Sequence, residues 1–110
     1  MTDNNENLME KDPITKKQNK VERPRMWKVI FMNDDFTEVS FVEEMLQKHF
    51  RHTYEEASAI SHIIHTEGQG VAGTYQKEVA EQKAIDVINE AKAREFPLQV
   101  VIAPEAPENN

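Results

Sequence analysis

The chain has 110 residues, a formal charge of −7, 38% hydrophobic side chains and no cysteine. That length holds one domain at most, and the lack of thiols excludes a disulfide framework, a thiolate nucleophile and a cysteine-ligated zinc site. Six basic side chains against five acidic ones make residues 1–25 +1, and seven against fifteen make residues 26–110 −8. An acidic body excludes nucleic acid as main partner, because that binding rests on Lys and Arg neutralising phosphates.

No apolar stretch approaches the roughly 18 residues that span a bilayer, and the N-terminus lacks a signal-peptide core. A soluble, cytoplasmic protein without membrane contact is expected. Residues 1–25, with two prolines, mixed charge and few large apolar side chains, read as a flexible arm that cannot bury enough surface to offset its ordering entropy. The folded domain is expected over 26–104, followed by a flexible polar tail over 105–110.

Within that domain "MWKVIFM" (26–32) is dense in aromatic and β-branched residues and predicts a strand. "SFVEEMLQKHF" (40–50) predicts a helix. Ser40 and Glu43 have capping-box spacing, and Phe41, Val42, Met45, Leu46 and Phe50 fall on one stripe. "TYEEASAISHIIHTEG" (53–68) repeats the device with Thr53 and Glu56. It is expected to bury Ala57, Ile60, Ile63 and Ile64 and to stop at Gly68. "GVAGTYQ" (70–76) is a short strand, 77–96 a helix ended by Pro97, and "LQVVIAP" (98–104) a last strand. The order is β-α-α-β-α-β, an α+β domain. So few strands cannot stand alone, so the helices should cover one face of a small sheet.

Between the first strand and the first helix lies "NDDFT": Asn33, Asp34, Asp35 and Thr37. Loops at strand ends often carry binding groups, but Asn and Asp also simply favour turns. A calcium loop needs oxygens at alternate positions, a central Gly and a closing Glu, and this segment lacks them. A second lead is histidine. His62 and His65 are three apart on the second predicted helix, as are His49 and His52 around the end of the first. Such a pair can share a metal only with a third ligand, and each His is equally readable as partly buried or solvated. His65 stands late in its helix, where it could reach the strand-end loop. A small metal-dependent hydrolase using Asp34, Asp35 and His65 is therefore one reading, and a purely structural interaction domain is another.

From Trp27 to Ile102 the segments "WKVIFMNDDFT", "FVEEMLQKHF", "IIHTEGQGVAGTY", "EVAEQK" and "FPLQVVI" resemble the ClpS adaptor family of bacteria and plastids. The resemblance implies a three-stranded antiparallel sheet packed on three helices. It also implies a non-enzymatic adaptor with no metal and no cofactor. Such an adaptor recognises proteins with destabilising N-terminal residues (Phe, Tyr, Trp, Leu) and delivers them to a ClpA-type AAA+ unfoldase, through that unfoldase's N-terminal domain, for degradation by ClpP. Carried over by position, the resemblance gives an α-amino site at Asn33, Asp34, Asp35, Thr37 and His65. It gives a side-chain pocket at Val39, Val42, Ser61, Ile64 and Leu98, and an unfoldase-facing surface at Glu78 and Lys83. Val39 and Ser61 stand where many members carry Met, which bears on the size of the pocket.

The chemistry of the loop suits that role. A free peptide N-terminus, with a pKa near ~8, is mostly an ammonium with three donors and no acceptor. It needs acceptors converging on a small volume, and an amide oxygen, a carboxylate and a ring nitrogen supply them. An internal residue offers one uncharged N–H and would leave acceptors unpaired.

Overall fold

The computed structural model describes residues 25–106. The predicted arm lies outside them except for Arg25, and the predicted tail is described only at Glu105 and Ala106. Six elements follow in order: β1 (Met26–Met32), α1 (Val39–Phe50), α2 (Tyr54–Glu67), β2 (Gln69–Gln76), α3 (Lys77–Ala93) and β3 (Gln99–Pro104). The strands form one antiparallel sheet in the order β2-β1-β3.

Alternation along β1 builds the core. Val29 and Phe31 are fully buried and pair with Ile102 and Val100 of β3. Against them pack Phe41, Met45, Leu46 and Phe50 of α1, Ala57 and Ile64 of α2, and Ala80, Ala84, Val87 and Ala91 of α3. The run of alanines lets α3 lie close to all three strands. The β1–β2 register shifts between Val29, paired with Gly73, and Ile30, paired with Val71. Ala72 is the extra residue of this bulge, and its carbonyl oxygen takes a hydrogen bond from His52 Nε2 at 2.6 Å. His52 thereby ties the end of α1 to the backbone at the bulge.

Three expectations need correction. Ser40 does not cap α1: the helix begins at Val39 with Glu38 as N-cap and no side-chain cap, and the Glu38 carbonyl accepts from the amides of Phe41 and Val42. The residue that organises the approach is Asp34. Ile63 is 45% exposed, because α2 presents only Ala57, Ser61 and Ile64 fully to the core. α3 ends at Ala93, not at Pro97. Glu95 takes φ 64°, and the amides of Glu95 and Phe96 donate back to Lys92 and Ala91, a Schellman stop made without glycine. The second helix is as predicted. Thr53 and Glu56 form both bonds of a capping box, and Gly68, at φ 93°, donates to the Ile64 carbonyl.

Candidate functional site

The site is assembled where β1 ends. The Asn33 amide donates to the carbonyl of Gly68 at 2.9 Å, tying the end of β1 to the turn that closes α2. Because the helix must stop at Gly68, His65 in its last turn is brought beside Asn33. Gly70 makes the approach possible: a β-carbon there would sit 2.8 Å from Cγ1 of Ile64. The glycine lets β2 and α2 touch, and this fixes Ile64 as a wall.

Asp34 shapes the loop. Its Oδ1 accepts from the amides of Phe36 and Thr37, both at 2.7 Å, and its Oδ2 accepts from the Thr37 hydroxyl at 2.8 Å. Partial burial alone would raise its pKa. The hydrogen bonds from the Thr37 hydroxyl and the two amides outweigh that and hold the carboxyl below its ordinary range. Asp34 is therefore an ionised strut. The Asn33, Asp35 and His65 side chains, by contrast, have no hydrogen-bond or ion-pair partner among the described residues, and all three residues are exposed.

These groups rim a cavity of about 230 Å³ lined by Met32, Asn33, Asp34, Asp35, Thr37, Val39, Val42, Ser61, Ile64, His65 and Leu98. All ten residues expected for the amine site and the side-chain pocket border this one space. The apolar positions Val42, Ile64 and Leu98 are only 7%, 4% and 6% exposed, so an acceptor-rich rim surmounts an apolar floor. Val39 is 57% exposed and stands at the mouth. Met32, the last residue of β1, also lines the cavity and was not anticipated; its place directly before Asn33 was the available signal.

Glu78 and Lys83 lie elsewhere, on α3. Glu78 is exposed in the first turn. Lys83 is half-buried, donates from Nζ to the His49 carbonyl at 2.7 Å, and lies over the rings of Tyr75 and Phe50 at 5.1 and 5.7 Å. It thus satisfies a carbonyl at the C-terminal end of α1. His49 lies 2.6 Å from a Glu90 carboxylate oxygen that Lys48 also contacts, linking α1 to α3. His62 is exposed. Among the described residues no group of three His, Asp or Glu is placed to hold a metal ion. No helix there is long and apolar enough to cross a membrane.

Comparison with known proteins bears on this arrangement. Residues 22–101 match the family model described as "ATP-dependent Clp protease adaptor protein ClpS". Relatives called ATP-dependent Clp protease adapter protein ClpS include one from Desulfatibacillum aliphaticivorans, 45% identical over 94 residues, covering 86% of this chain and 90% of the relative. Another, from Deinococcus radiodurans, is 40% identical over 92 residues, covering 84% of this chain and 81% of the relative. The solved structure of Agrobacterium tumefaciens ClpS2 bound to L-phenylalaninamide superposes with a TM-score of 0.73 at 31% identity, covering 76% of this chain and all of that one.

Proposed function

The chain belongs to the ClpS family, the adaptors of the ATP-dependent Clp protease, and we propose that its cavity receives the N-terminal residue of substrates that it hands to the protease. In this reading the α-ammonium group sits among the Asn33 amide oxygen, the Asp35 carboxylate and a His65 ring nitrogen. The first side chain fills the space over Val42, Ile64 and Leu98. Asp34 and Thr37 hold the loop.

One observation carries the proposal: three acceptor-bearing side chains without partners converge on the rim of an apolar cavity. An ammonium has three donors and a charge, and charge-assisted bonds to it are about twice as strong as neutral ones. A peptide-internal N–H carries no charge and offers one donor, so it would engage only one of the three acceptors. The site therefore selects chain ends, and the apolar floor selects side chains that bury large area, namely Phe, Tyr, Trp and Leu. L-phenylalaninamide, the ligand of the related ClpS2, has those two features, a free α-amine and an aromatic side chain. The acidic body of the domain favours approach of a positively charged terminus.

Delivery belongs to other surfaces. Glu78 and Lys83 are the proposed contacts to the N-terminal domain of a ClpA-type AAA+ unfoldase and the arm of residues 1–25 is proposed to engage its pore, with ClpP as the peptidase. The adaptor itself performs no chemistry in this scheme.

Titrating a Phe-initiated peptide into the wild type and the Asn33→Ala and His65→Ala variants tests the reading. Each variant should bind at least about tenfold more weakly, the loss of one charge-assisted bond, with an unchanged unfolding midpoint. Wild-type affinity in both variants would refute the amine site.

A further inference from the structure

Ser61 is the one polar side chain among the described residues that is buried with the core, at 7% exposure. Its hydroxyl makes no hydrogen bond among the described residues: it does not donate back along α2, as Thr66 does to the carbonyls of His62 and Ile63. A buried hydroxyl without a partner is costly, and helical serines usually relieve that cost by bonding to the preceding turn. Ser61 instead borders two spaces: the cavity described above and a neighbouring one of about 290 Å³ that also touches Glu43, Ser58 and His62. Val39, Ser61 and His65 are the wall the two cavities share.

We infer that the Ser61 hydroxyl reads the phenolic oxygen of an N-terminal tyrosine, making tyrosine the favoured aromatic residue of this adaptor. The inference rests on the proposed amine site. Ser61 precedes His65 by four residues, one turn or about 6 Å along α2. With the ammonium group held at the His65 end, an aromatic side chain lying along that turn carries its para position to Ser61. A phenol is both donor and acceptor, so it satisfies the hydroxyl whichever way that group turns. A phenylalanine ring desolvates the same hydroxyl and pairs with nothing. A pocket that hydrogen-bonds a substrate hydroxyl discriminates against the analogue lacking it for this reason.

The test is a double-mutant cycle on peptides identical except for a first residue of Tyr or Phe, titrated into the wild type and Ser61→Ala. The wild type should bind the Tyr peptide at least as tightly as the Phe peptide. The Tyr-to-Phe affinity ratio should fall by about three- to tenfold in the variant, the net worth of one hydrogen bond. A ratio that moves by less than about twofold overturns the inference. So does a wild type that binds the Phe peptide more tightly than the Tyr peptide, a result that needs no variant. If the wild type binds neither peptide, the amine site falls and this inference falls with it.

Discussion

The two adjacent aspartates divide labour, and their surroundings say how. Asp34 spends both oxygens on its own loop, whereas Asp35 has no partner among the described residues. Since the folded pKa of Asp34 is depressed, its contribution to stability is complete above the ordinary carboxylate range near ~3.9 and is lost as pH falls through the lower folded value. The loop is thus fully braced at neutral pH. Two substitutions separate the roles. Asp34→Ala should cost about 1–2 kcal/mol of stability by stranding the Phe36 and Thr37 donors, and should weaken peptide binding by loosening Asn33. Asp35→Ala should leave the unfolding free energy within about 0.5 kcal/mol of wild type, as exposed substitutions do, yet cut affinity for a Phe-initiated peptide by about tenfold or more. Chemical denaturation and calorimetric titration of both variants decide this. An Asp34→Ala protein as stable as wild type, or an Asp35→Ala protein with full affinity, would reverse the division.

Among the elements, the contact of α2 with β2 sets the geometry of the cavity. Gly70 permits it, and the wall it positions is Ile64. Gly70→Ala should therefore push α2 outward, costing about 1–3 kcal/mol as overpacking does, and should lower peptide affinity although Gly70 does not line the cavity. Denaturant unfolding together with titration checks this, and a variant with both values at wild-type level would show that α2 can give way without consequence. Sequence patterns announced this helix well. Thr53, Glu56 and Gly68 are local signals whose bonds close within one turn, so no distant residue had to be known. The stripe from Phe41 to Phe50 was equally legible, because a five-residue apolar face leaves one way to dock on a sheet. Other features depended on tertiary contacts. Ser40 had the right spacing for a cap, but Asp34 had already gathered the preceding loop, and the cap fell two residues earlier, at Glu38. Ile63 read as core, yet Gly70 and Ile64 meet so closely that α2 buries a narrower face. Glu95 ends α3 in a left-handed conformation that glycine usually marks. The partition of the NDD cluster between strut and acceptor followed from hydrogen bonds that no spacing reveals. Lys83, likewise, could be placed on a helix face but not seen to hold the end of α1.

At the scale of the molecule, the proposed sites of recognition and delivery fall on different parts of one fold. The cavity lies where β1 ends against α1 and α2, whereas Glu78 and Lys83 stand on α3. A substrate's first residue can thus be held while another surface engages the unfoldase. The separation rests on a single central claim, that the rim of Asn33, Asp35 and His65 receives a free ammonium group. Calorimetric titration of one Phe-initiated peptide, with its amine free and then acetylated, tests that claim most directly. Acetylation removes the charge and two donors while leaving the aromatic ring in place, so affinity should fall by at least about tenfold. Equal affinity for the two peptides would mean that the cavity binds the ring alone, and the account of a receptor for chain ends would be contradicted.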